Sequence, residues 1–154
     1  MRNTGARRQF APDCEPYVAK TKGASAAFAL FYHVVFGTKW RKPVLSEAVA
    51  RRVIDLLQAV ADEQAYTLLG VFVCQEHVHL LLSLKPTQAV AEVVQRLKGV
   101  SARRIMEEYT EIAEGHLWSS GYSAYTLGDR TVAQIKAYLG GQAEHHAIAP
   151  EVAE

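Results

Sequence analysis

Residues 66–84 read YTLLGVFVCQEHVHLLLSL, two apolar runs separated by a polar pair, Gln75-Glu76. Each run is rich in Val, Leu or aromatic residues and has the length of a strand, so a β-hairpin is predicted over 66–74 and 77–84. The two-residue gap suits a tight hairpin, although it lacks the favoured Asn-Gly chemistry. Successive side chains on a strand point to opposite faces. His77 and His79 therefore project together, and Val78, Leu80, Leu82 and Leu84 fill the other face.

Working outward, residues 28–38 are rich in Phe, Tyr and Val and read as an earlier strand. Ser46 has N-cap chemistry for a helix running to Gln64, along which Val49, Val53, Leu56, Leu57 and Val60 recur at helical spacing. Downstream, Pro86-Thr87 is expected to open a second helix, with Val90, Val93, Val94, Leu97, Ile105 and Tyr109 on its apolar stripe. A short aromatic strand follows near 122–127. Thr131-Val-Ala-Gln134 then fits a capping box that starts a last helix. The first six elements match an α+β, ferredoxin-like split β-α-β fold, an antiparallel sheet with helices on one face. The seventh is an added C-terminal helix. Residues 1–25 read as a flexible basic leader, 26–147 as one domain, and 148–154 as a frayed tail.

A chain of 154 residues with 49% apolar and 21% charged residues can bury a core, which argues against general disorder. Cys14 and Cys74 do not make a disulfide framework, so a reducing cytoplasm is the expected location. The longest apolar stretch, 24–36, falls short of the roughly 20 residues a membrane span requires. The formal charge of +1 hides an uneven distribution. Segments 1–25, 26–45 and 66–105 each carry a net +3, while 46–65, 106–128 and 129–154 are acidic. An anion-binding surface needs only local positive potential, so near-neutrality does not exclude nucleic acid.

Two constellations carry chemistry. His77 and His79 could form two thirds of a metal site, or be a surface or half-buried pair without a ligand. Cys74 could complete a zinc triad with them, or be a buried free thiol. Tyr138 and Gln142, four apart on the last helix, share a face. A tyrosine hydroxyl can attack phosphorus and keep the phosphate as an ester, and a Gln carbonyl can ligate a cation that polarises that phosphate.

In this order, the segments FYHVVFGTKWRKPVL, EHVHLLLSL, LKGVSARRI, LWSSGYSAYTLGD and IKAYLGGQ resemble the single-tyrosine HUH transposases of the insertion-sequence 200/605 type. The likeness runs from about Phe28 to Gln142. It implies a metal-dependent nuclease and strand transferase acting on single-stranded DNA with hairpins near the element ends. Tyr138 falls on the family's nucleophile, His77 and His79 on its metal-binding pair, and Gln142 on its third ligand. The resemblance further implies Mg²⁺ or Mn²⁺ as cofactor, a 5′-phosphotyrosine intermediate, and a homodimer whose catalytic helix can come from the partner subunit.

DNA binding is assigned to Lys39, Arg41 and Lys42 after the first strand and to Arg96, Lys98, Arg103 and Arg104 on the second helix. Phosphate contacts of this kind make affinity fall with salt. Trp40, Trp118 and Tyr122 are read first as packing residues, with stacking on unpaired bases as the alternative. Gly140 and Gly141 between nucleophile and ligand weaken the helix there, and His145 and His146 continue its face as competing ligands. The rival readings are a non-catalytic nucleic-acid-binding module of the same fold and a small zinc protein built on Cys74, His77 and His79.

Overall fold

The computed structural model describes residues 28–112 and 115–128, together with Gln134 and Ala137, both helical. The leader, the tail, Thr131, Tyr138, Gln142, His145 and His146 lie outside the described residues. Within them the chain runs β1 (Leu30–Gly37), a 3-10 turn (Lys39–Arg41), α1 (Glu47–Gln64), β2 (Thr67–Val73), β3 (His77–Leu84), α2 (Val90–Glu108) and β4 (Ser123–Thr126). The sheet order is β2-β3-β1-β4 and every neighbouring pair is antiparallel. This is the expected ferredoxin-like arrangement, with both helices on one face.

β3 is buried at all but one position, which is why it reads as a nearly continuous apolar run. Its Val78, Leu80, Leu82 and Leu84 join Val34 and Phe36 of β1 in one core with Val53 and Leu57 of α1 and Val94 and Leu97 of α2. The hairpin between β2 and β3 closes through a 2.8 Å bond from the Cys74 N–H to the His77 carbonyl. What its turn residues lack in intrinsic preference is supplied by tertiary bonds. The Gln75 carbonyl accepts from the Leu45 N–H at 3.1 Å, and the Glu76 carbonyl accepts from the Thr38 N–H at 2.8 Å.

α1 starts where expected, the Ser46 hydroxyl accepting the Val49 N–H at 3.4 Å. It ends on Ala65 in the left-handed conformation (φ 62), a position that usually falls to glycine. α2 begins at Val90, later than Pro86-Thr87 suggested. The physical reason lies in Gln88, whose side-chain carbonyl accepts the Lys85 N–H at 2.8 Å and whose own N–H bonds the Lys85 carbonyl at 2.9 Å. That closed turn uses the groups a helical first turn would need. Gln88 Nε2 also donates to the Ala65 carbonyl at 3.1 Å, joining the start of α2 to the end of α1.

Of the three aromatic residues expected to pack, Trp118 does. It is 6% exposed, meets Phe36 edge-on at 4.8 Å, and donates from Nε1 to the Ser101 hydroxyl at 3.0 Å. Trp40, 76% exposed, and Tyr122, 42% exposed, do not. Trp40 stands out because its backbone is left-handed (φ 60) and the turn carries its ring away from the core. Among the described residues no helix is long and apolar enough to cross a membrane.

Ala65→Gly is expected to stabilise the protein by about 0.5–1 kcal/mol, because the steric penalty of a left-handed alanine outweighs the extra unfolded-state entropy of glycine. Urea denaturation checks it: the midpoint rises while the slope is unchanged.

Candidate active site

On the sheet face away from the helices, the alternation of β3 delivers His77, His79 and Leu81, and that of β1 delivers Phe31, His33, Val35 and Gly37. The two histidines of β3 do project together, with ring centroids 4.8 Å apart, and both are buried. Cys74, at the end of the hairpin, brings its Sγ to 3.2 Å from His77 Nε2. One ligand atom from each of Cys74, His77 and His79 lies within 4.8 Å of the others, so the cluster could hold a metal ion.

Behind this pair stands a third imidazole that sequence reasoning did not assign a role. His33 is buried, stacks on His79 at 5.2 Å, and places its Nε2 2.9 Å from His79 Nδ1. Burial lowers the His33 pKa below its ordinary 6.5 and so favours the neutral ring. When that ring accepts, His79 carries its proton on Nδ1 and keeps the lone pair on its buried Nε2. A histidine ligand is commonly oriented by a partner on its other nitrogen. The available signal in the sequence was the quoted stretch FYHVVF, in which His33 alternates with Phe31 and Val35. Its partner depends on the β1–β3 register, with Val35 opposite His79 and His33 opposite Leu81.

The donor set fits a divalent cation. Burial, with the nearby Glu76 charge adding and Arg41 opposing, pushes the Cys74 thiol up to about 12. At neutral pH the cluster therefore offers two imidazoles and a protonated thiol. That leaves a hard ion its two nitrogen ligands, whereas a softer ion such as zinc can displace the thiol proton. The Glu76 carboxylate stands 3.6 Å from His77 Nδ1 on the other side of that ring.

The expected DNA-binding residues fall into two places. Lys39, Arg41 and Lys42 occupy the turn that leaves β1 beside the histidine face, and Lys39 Nζ lies 5.0 Å from the centre of the Trp40 ring. Arg96 and Arg103 are exposed on α2, in the helix layer on the other side of the sheet. Arg104 lies with them and reaches Glu108 at 3.8 Å. Lys98 is turned away from Arg96 and is engaged within the fold, donating to the Ser119 carbonyl at 2.9 Å and the Gly121 carbonyl at 2.6 Å. Burial lowers its pKa.

Residues 26–142 match the model of a protein family described as transposase IS200-like. The ISDra2 transposase TnpA of Deinococcus radiodurans is 37% identical over 125 residues, which span 79% of this chain and 89% of that protein. A crystal structure of a Deinococcus radiodurans R1 protein described as a transposase matches with a TM-score of 0.67 at 33% identity, covering 80% of this chain and 98% of that one. A REP-associated tyrosine transposase bound to a REP hairpin shares the fold, with a TM-score of 0.51 at 10% identity over 71% of this chain and 61% of that one.

His33→Phe is expected to weaken Mn²⁺ binding by about 10–100-fold, the usual cost of losing a ligand's orienting partner. Titration followed by the free-ion electron paramagnetic resonance signal checks it. His33→Asn, which keeps a polar partner for His79 Nδ1, should recover part of the loss.

Proposed function

The chain belongs to the IS200-like transposase family, and from that premise we propose that it nicks and rejoins single-stranded DNA at hairpin-marked ends through a 5′-phosphotyrosine intermediate. The observation that carries this reading is the buried side-by-side placement of His77 and His79, with His33 set behind His79. A spanning family match that runs as far as Gln142 supports assigning Tyr138 as nucleophile and Gln142 as third ligand.

Tyr138 Oη attacks the phosphorus in line with the bond to be broken. A P–O bond to tyrosine forms on the 5′ side and the P–O3′ bond breaks. The phenol gives up its proton and the departing 3′ oxygen takes one up, leaving a free 3′-hydroxyl. An unperturbed phenol, with a pKa of about 10, is a weak nucleophile at neutral pH, so alignment and a polarised phosphate must supply the acceleration. A divalent cation, Mg²⁺ or Mn²⁺, bound by His77, His79 and Gln142 would supply neutralisation of charge on the phosphate and the leaving oxygen. The ester conserves the energy of the broken bond, so a second 3′-hydroxyl can reverse the step and rejoin the strand.

Lys39, Arg41, Lys42, Arg96 and Arg103 are available to contact DNA phosphates. Lys98 acts indirectly, by pinning the segment that leads into β4. The partner is single-stranded DNA with a hairpin; the relative that shares this fold binds a REP hairpin. The working unit is a homodimer, in which the segment bearing Tyr138 can serve the partner's histidines. The non-catalytic alternative differs in one outcome, the covalent adduct.

Incubation with single-stranded hairpin DNA and Mg²⁺ is expected to yield a denaturation-resistant protein–DNA adduct, and Tyr138→Phe to abolish it while DNA binding survives. An undiminished adduct with that variant would sink the assignment. The 3.2 Å contact of Cys74 with His77 favours a second reading, a zinc centre. On the transposase reading Cys74→Ser leaves Mn²⁺ binding within about threefold of wild type, because a protonated thiol contributes little to a hard ion. Stoichiometric zinc in the purified protein, lost on Cys74→Ser, would favour the zinc centre instead.

A further inference from the structure

Gly37 closes β1 directly opposite His77. A methyl group placed on it would stand 3.3 Å from Arg41 Cδ, 3.3 Å from Arg41 Nη1 and 3.3 Å from the Glu76 carbonyl. The Arg41 side chain thus folds back over the end of the strand instead of extending from the turn into solvent. Directly opposed side-chain positions on antiparallel strands lie about 5 Å apart, so the guanidinium sits within a phosphate's reach of the histidine cluster.

The backbone is built to keep it there. Trp40 (φ 60) and Arg41 (φ 53) are consecutive left-handed residues without being glycine or asparagine. Each such residue is strained and persists only where the surroundings over-determine it. Here the Thr38 hydroxyl donates to the Lys42 carbonyl at 2.8 Å, the Arg41 N–H donates to the Thr38 carbonyl at 3.0 Å, and the Lys39 N–H donates to the Leu117 carbonyl at 2.8 Å. Arg51, Arg52 and Arg104 are ion-paired, whereas among the described residues no carboxylate pairs with Arg41. An exposed guanidinium on a backbone held in this way, with no carboxylate partner among the described residues, is suited to gripping two oxygens of one phosphate beside a metal-type cluster.

We propose that Arg41 binds the reacting phosphate itself, as a bidentate clamp at the histidine site, and that Gly37 is glycine to leave room for it. This rests on the transposase reading for the identity of the phosphate, but its geometry does not require that reading. Lys39 and Lys42, on the same turn, are ordinary backbone contacts by comparison.

The test uses the full-length protein, with single-turnover adduct formation on hairpin DNA, DNA affinity in EDTA, and inorganic phosphate binding to Mn²⁺-loaded protein by ³¹P relaxation. Arg41→Gln is expected to slow adduct formation at saturating DNA at least 100-fold while changing affinity in EDTA less than fivefold. Phosphate binding should weaken at least tenfold. Arg41→Lys should recover less than a tenth of the lost rate, because one ammonium cannot fork. Gly37→Ala should reproduce the loss, and Gly37→Ala combined with Arg41→Gln should be no slower than Arg41→Gln alone. A normal saturating rate with weakened affinity in Arg41→Gln would overturn the clamp and make Arg41 a general DNA contact, leaving the transposase reading intact. No adduct from wild type, with phosphate binding still dependent on Arg41, would sink the transposase reading and uphold the clamp. Phosphate binding indifferent to Arg41 in that case would overturn both.

Discussion

The pairing of β1 with β3 puts Gly37 against His77, Val35 against His79 and His33 against Leu81, and the rest of the molecule is organised around that alignment. β3 is covered on both sides, so a slip of one residue would drive two imidazoles into the apolar core and turn Val78, Leu80 and Leu82 outward. Hydrophobic burial on one face therefore holds the polar chemistry of the other face in place. The His33–His79 contact follows from that alignment, although its residues lie far apart in the chain, and so does the placing of Gly37, with Arg41 folded over it, against His77.

Much of this was legible in the residues because local patterns and the final fold agree. The alternation HVHLLLSL, the apolar stripe of α1 and its Ser46 cap each point to one structure, and each is found. The unread parts depend on contacts between distant segments. Gln88 delays α2 by bonding Lys85 and Ala65, and nothing in its immediate neighbours announces that preference. His33 acquires a partner only once two non-adjacent strands are aligned. Trp40 looks like a packing residue until two left-handed residues turn it out of the core. The roles of Tyr138 and Gln142 are implied by family resemblance, and both residues lie outside the described ones.

Charge shows the same division between composition and placement. The basic segment after β1 sits at the histidine face, while the cations of α2 belong to the opposite layer. On α2 a single acid, Glu108, answers two arginines: Arg52 of α1 through a pair of 2.8 Å bonds, and Arg104 at 3.8 Å. Lys98 is spent on two carbonyls. A count of positive residues would rank the helix as the richer DNA surface. Subtracting the groups already engaged shifts the balance toward the turn, where Lys39, Arg41 and Lys42 remain available.

The hairpin tip at Gln75-Glu76 carries a kinetic implication. Its closure relies on carbonyls bonded by Leu45 and Thr38, from a segment about thirty to forty residues earlier in the chain. Such contacts have high sequence separation and their loop-closure entropy is met only when the sheet assembles. β2 and β3 can meet early as neighbours, but the end that carries Cys74 and His77 is locked only when β1 and its turn arrive. A chain in which β1 has not yet docked thus lacks the organised cluster, and the histidine site is complete only when the fold is.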